Sequence, residues 1–119
     1  MSMPRHAPKL LLVEDNYLLA SALQVNFEHK GVQVVGPVGD LSAALELIAS
    51  GQHLDCAVLD VKLGDEPVFP VAEALLARGV RIAFLTGYSL SALPAAYRDS
   101  IYFSKHGDLT ELYRWVLGS

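Results

Sequence analysis

One cysteine, one tryptophan and a charged fraction of only 18% are the sparse features of this 119-residue chain. Each closes off a class of answers. Cys56 has no partner for an internal disulfide, and its place in an apolar run reads as a small buried hydrophobe in a reducing compartment. A net charge of −4 leaves no basic footprint for direct nucleic-acid binding or for an anionic membrane. No apolar stretch approaches the ~20 residues that span a bilayer, and Met1 to Lys9 lacks the apolar segment of a secretory signal. The expected location is cytoplasmic. No repeat or low-complexity linker divides the sequence, so a single domain over 1–119 is expected, with its core at about 9–117. The 52% hydrophobic content suits such a core. The Met1 start and the lack of a trailing linker are what a complete chain would have.

What is present is an alternation of short apolar runs with amphipathic segments. Leu10–Val13 reads as a strand, and Asn16–Lys30 as a helix with Leu19, Leu23 and Phe27 on its inner stripe and Gly31 as its stop. Val32–Val35 is a second strand, closed by a turn at Gly36-Pro37-Val38-Gly39. That turn is no phosphate-cradling loop, since the next helix lacks the required Lys-Ser/Thr. Asp40 or Ser42 can cap a helix that runs to about Ser50. Cys56–Leu59 is the third strand, followed by a long polar turn and a helix opened by Pro70. Arg81–Leu85 is the fourth strand, Ser91–Arg98 a short helix, and Ile101–Phe103 the fifth strand. Asp108 with Glu111 resembles a capping box for a last helix that reaches Leu117. Five units of this kind argue for an α/β fold, with a parallel sheet covered on both faces. In the strand order 2-1-3-4-5 the ligand site lies beyond the carboxyl ends of strands one and three.

Those two strands end in Glu14-Asp15 and in Asp60. Three carboxylates at one rim repel one another unless a cation lies between them. Strand four ends in Thr86, and Lys105 follows strand five. Taken singly, each has an ordinary explanation: a helix cap for Asp15, turn chemistry for Asp60 and Thr86, a solvated charge for Lys105. Taken jointly, they suit phosphoryl transfer to a carboxylate. Asp60 would be the nucleophile, and Glu14 and Asp15, with Asp60, would hold Mg²⁺. Lys105 would offer a positive charge and Thr86 a hydroxyl to phosphoryl oxygens. The backbone carbonyl of Lys62 is a further candidate ligand. His6, His29, His53 and His106 lack ligand spacing and read as surface residues.

Val13-Glu14-Asp15-Asn16, the strand ending in Asp60, Thr86-Gly87 and Lys105 together resemble the receiver domain of two-component response regulators. The likeness spans about Leu10 to Leu117. It implies a three-layer, flavodoxin-like (βα)5 fold and a Mg²⁺-dependent phosphoacceptor at Asp60. The partner it implies is a sensor histidine kinase or a histidine phosphotransfer protein. Phe84-Leu85-Thr86-Gly87-Tyr88 is similar to the signature of an atypical, often stand-alone subgroup, with Leu85 where that subgroup has alanine. Members of the subgroup have a shortened fourth helix, which fits the interval between Thr86 and Lys105. Tyr102 matches the family's aromatic switch position, and Tyr88 beside Thr86 is the alternative carrier of the signal. Tyr102, Tyr113 and Trp115 are candidates for a partner surface, with core anchoring the stronger reading for Trp115.

The chain departs from the family at His106, where receivers carry a proline after a cis peptide. A non-proline cis bond costs about 3 kcal/mol, so the sequence leaves open whether the Lys105–His106 peptide is cis, and with it the placement of Lys105 and of the last helix. That departure favours a rival reading, a docking module of the same fold without phosphate chemistry. A third reading, an aspartyl-nucleophile phosphatase, needs a second acid two residues after Asp60, where this chain has Lys62. The expected protein is a signalling domain rather than an enzyme, a monomer or a weak dimer.

Overall fold

Alternation decides how the central strands are used. In β1 (Lys9–Val13) and β3 (Cys56–Asp60), successive side chains point to opposite faces of the sheet, yet nearly all are apolar and fully buried. Such strands are stable only with cover on both sides. The computed structural model describes residues 7–87, 94–97 and 99–118, and it supplies that cover.

Leu10, Leu12, Cys56 and Val58 face a layer formed by α1 (Tyr17–His29) and α4 (Thr110–Leu117), meeting Leu23, Phe27, Leu112 and Val116. Leu11, Val13, Ala57 and Leu59 face the other layer, α2 (Leu41–Ala49) and α3 (Phe69–Ala77), meeting Ala44, Ile48, Val71, Ala72 and Leu75. Each fully buried Leu or Phe contributes about 1.5–3 kcal/mol relative to exposure. The two faces together hold the layers on the sheet.

The remaining strands are β2 (Gln33–Val38), β6 (Arg81–Thr86) and β7 (Tyr102–Ser104), all parallel to their neighbours, in the order β2-β1-β3-β6-β7. Counting only this sheet, that is the expected 2-1-3-4-5. Register is what matters for the site: Val13 pairs with Leu59, so the next residues, Glu14 and Asp60, emerge side by side. On the other flank Thr86 pairs with Ser104, which delivers Lys105 to the same rim.

Several local expectations are corrected. The second strand does not stop at Gly36-Pro37; it continues to Val38, whose carbonyl accepts the Glu14 N–H at 3.0 Å. Gly36 makes this possible. Its φ of +96° and the 2.8 Å that a Cβ would leave to the Val38 nitrogen admit no larger residue. The turn after Asp60 is partly ordered as an antiparallel hairpin, β4 (Lys62–Leu63) with β5 (Glu66–Pro67). The predicted capping box is absent: Asp108 caps locally by accepting from Thr110, and Glu111 pairs instead with Arg114 at 3.1 Å. Asp40, not Ser42, caps α2, accepting the Ala43 N–H at 2.8 Å. Of the predicted Ser91–Arg98 helix, the described part is a 3-10 turn at Ala95–Tyr97; residues 91–93 and 98 lie outside the description. Tyr97 stacks on Phe69 at 4.8 Å, and both rings meet Phe84 edge-on.

Cys56 has no exposed surface, and burial pushes its thiol up to about 11. The native protein should therefore ignore a colourimetric thiol reagent at pH 8 and release one equivalent only when urea unfolds it. Rapid labelling without denaturant would contradict the buried position.

Candidate functional site

The rim beyond β1, β3 and β6 gathers the residues singled out from the sequence. Glu14 and Asp60 are 2% and 3% exposed, Thr86 is 6% exposed, and Asp15 projects toward solvent. One oxygen from each of Glu14, Asp15 and Asp60 lies within 4.8 Å of the other two. Lys105 reaches into this group: its ammonium lies 2.9 Å from Asp60 Oδ2 and 2.9 Å from Glu14 Oε1. The Lys105 N–H donates to the Thr86 carbonyl at 3.0 Å, so the strand pairing itself holds the lysine against β6.

Main-chain donors orient the acids. Asn16 N–H donates to Glu14 Oε2 at 3.0 Å while the Asn16 side chain caps α1 through the Leu19 N–H. Lys62 N–H donates to Asp60 Oδ1 at 3.3 Å, and Gly64 N–H donates to Asp15 Oδ2 at 2.8 Å. Glu14 Oε1 is buried and has no properly directed donor; the Lys105 ammonium is close but lies off the hydrogen-bonding direction. A buried carboxylate oxygen with an unused lone pair, flanked by two further carboxylates, fits a small hard cation such as Mg²⁺.

The electrostatics point the same way. Burial pushes the Asp60 carboxyl well above its ordinary value, and the neighbouring Glu14 raises it further; the Lys105 ammonium opposes both and does not cancel them. Burial also raises Asp15, but the donors it accepts, Gly64 first, take it below the usual carboxylate value. Lys105 loses hydration, which lowers it, yet its contacts with Asp60 and Glu14 win and its pKa rises.

Other predicted residues fall as follows. Lys62 begins the hairpin, with its side chain exposed. Tyr102 is half-buried in β7, packed against the core layer that contains Phe84, and is not a bare surface tyrosine. Tyr88 and His6 lie outside the described residues. Tyr113 and Trp115 are half-buried against the other core face, Trp115 beneath the Arg81 guanidinium at 4.5 Å. His106 is exposed, and a methyl group at Gly87 would come within 3.2 Å of its Nε2. The one cis peptide among the described residues is Gly36–Pro37, so Lys105–His106, which the sequence leaves open, is trans. Gly64 is the residue that the sequence reading missed. The signal for it was the Leu63-Gly64-Asp65 turn, four residues beyond Asp60.

No family model and no curated protein matches the sequence. Solved structures do. SdrG from Sphingomonas melonis Fr1 is 33% identical, with 91% of this chain and 92% of that one aligned and a TM-score of 0.78. The receiver domain of TorR, a response regulator of the TMAO respiratory system, is 28% identical over 92% of this chain and 93% of its own, with a TM-score of 0.76. TrrA of Thermotoga maritima, a response regulator solved with Mg²⁺-BeF, shares the fold at a TM-score of 0.79, covering 92% and 96% of the two chains at 20% identity. Strand order, rim and sequence identity converge on one assignment: the chain belongs to the response-regulator receiver family.

Proposed function

We propose that this receiver domain, with its core at about 9–117, accepts a phosphoryl group on Asp60 from a phosphohistidine donor. The donor would be a sensor histidine kinase or a histidine phosphotransfer protein in the cytoplasm. The single observation that carries the reading is the buried Asp60 carboxylate set within reach of Glu14, Asp15 and Lys105.

In the step itself, an Asp60 oxygen attacks phosphorus, a P–O bond forms, and the P–N bond to the donor imidazole breaks. The product is an acyl phosphate. Glu14, Asp15, Asp60 and the Lys62 carbonyl would hold Mg²⁺. When bound, that ion offsets negative charge on the acids and on the phosphoryl oxygens. Lys105 is already paired with Asp60 and would pass its ammonium to a phosphoryl oxygen. Thr86, at the end of β6, would donate its hydroxyl to another. Recruiting Thr86 and Lys105 would then shift β6 and β7 together, with Tyr102 as the aromatic that follows them. The Phe-Leu-Thr-Gly-Tyr segment supports membership of the atypical stand-alone subgroup. The domain signals and is not an enzyme in the usual sense. Lys105 reaches Asp60 despite His106 and a trans peptide, which supports the phosphoacceptor reading over docking alone.

Incubation with Mg²⁺ and a small phosphodonor such as acetyl phosphate should label the wild-type chain. Asp60→Asn should abolish labelling, and Lys105→Ala should leave it able to label but without the downstream shift in β7 amide resonances. Labelling that survives Asp60→Asn would place the acceptor elsewhere. No labelling of the wild type, from either a small donor or a competent kinase, would leave the docking reading.

A second expectation follows from the raised Asp60 carboxyl. An acid whose pKa is higher folded than unfolded binds more protons in the native state between those two values, so stability falls as pH rises through that window. Metal-free protein should be more stable to urea at pH 5 than at pH 8. Mg²⁺ should restore the loss at pH 8, and Asp60→Asn should flatten the slope. Stability that climbs over this range in chelator-treated wild type would refute the assignment.

A further inference from the structure

The hairpin Lys62–Pro67 contacts two of the three carboxylates, and it does so with main-chain N–H groups only. Lys62 N–H meets Asp60 Oδ1 at 3.3 Å, and Gly64 N–H meets Asp15 Oδ2 at 2.8 Å. The hairpin is not a loose flap. Val68 N–H donates to the Val61 carbonyl at 3.0 Å across its base, and Val61, Leu63 and Val68 are buried in the core face shared with α3. Asp15, by contrast, is exposed just past β1, and the Gly64 N–H holds its outer oxygen. A carboxylate has about four lone-pair sites, so accepting from Gly64 through Oδ2 leaves Oδ1 available to a cation.

Resting on the Mg²⁺-assisted reading above, we infer that Gly64 is a positioning residue for the metal, its N–H fixing the Asp15 carboxylate in the orientation that binds the cation. Hydrogen-bond partners behind a metal ligand are typically worth 10–100-fold in affinity. A neutral donor at an exposed site belongs at the lower end, about tenfold. The requirement for glycine here is conformational. Gly64 has φ of +60°, and no atom lies within 4 Å of where a Cβ would stand. Asparagine, which tolerates that backbone region and keeps the N–H, should therefore substitute acceptably.

The test is calorimetric titration of MgCl₂ into the full chain in three forms: wild type, Gly64→Asn, and a chain in which the Leu63–Gly64 amide is replaced by an ester. The ester deletes the N–H and keeps glycine. The expected result is near-equal affinity for wild type and Gly64→Asn and about a tenfold loss for the ester form. Unreactive Cys56 in each form certifies the fold. An ester chain that binds Mg²⁺ as well as wild type, or better, overturns the inference while leaving Asp60 phosphorylation intact. A wild type that binds no Mg²⁺ overturns both, so the two failures are distinguishable. Should the ester chain not fold, the wild type still decides: the Gly64 amide proton should stay protected from exchange at saturating Mg²⁺, and its release on metal addition would overturn the inference.

Discussion

Like charge forced together at a buried rim is the constraint on which the rest of this structure turns. Glu14 and Asp60 are nearly sealed from water, and Asp15 completes a group whose oxygens lie within 4.8 Å of one another. At an effective dielectric near 20, each pair of full charges at that distance repels by about 3–4 kcal/mol. The Lys105 ammonium meets Glu14 and Asp60 directly and relieves part of that repulsion. Burial and the Glu14 charge nevertheless keep the Asp60 carboxyl raised. The unrelieved part is the thermodynamic opening for a divalent cation, and it is why the same acids that cost stability can serve as a site.

The scaffold tolerates this because the rest of the sheet is so apolar. β1 and β3 carry buried residues on both faces, and their register is fixed by packing against two helical layers at once. A slip of one residue would exchange the two faces and carry Glu14 away from Asp60. Lys105 is held in a different way. It follows the short strand β7, and its backbone N–H on the Thr86 carbonyl ties its position to β6. Two acids are thus set by deep packing, and the Lys105 ammonium by an edge strand tied to β6.

Much of this was legible in the residues, for a physical reason. Apolar runs as short as Leu10–Val13 and Cys56–Leu59, bounded by polar residues, suit strands buried on both sides, and the polar residues at their ends then lie at the rim. The gathering of the acid trio and Lys105 at one rim builds on that, together with the strand order of the doubly wound fold that the family resemblance implies. Local features were less readable where backbone competes with side chain. Asp108 and Glu111 had the spacing of a capping box, yet Thr110 captured Asp108 and Arg114 captured Glu111. Gly36-Pro37 had turn chemistry, yet the pairing of Glu14 with Val38 carried the strand through it. The hairpin after Asp60 escaped notice because two-residue strands leave no periodicity to detect.

That hairpin changes how the site divides its labour. The side chains that define the chemistry come from strand ends, where composition announces them. The groups that aim those side chains are backbone N–H donors of Asn16, Lys62 and Gly64, which any sequence possesses and no composition reveals. An N–H donor carries partial positive charge and, fixed in a folded chain, needs no reorganisation when an anion approaches. For Asp15 the preset Gly64 dipole favours the charged form, against the burial that disfavours it. Asp15, the least buried of the three, is taken below the ordinary carboxylate value with Gly64 as the largest lowering contact; Asp60 is driven above it by burial and then by Glu14, against Lys105. A cation arriving at this rim would find one acid already ionised to engage it and a second whose ionisation its own charge would complete.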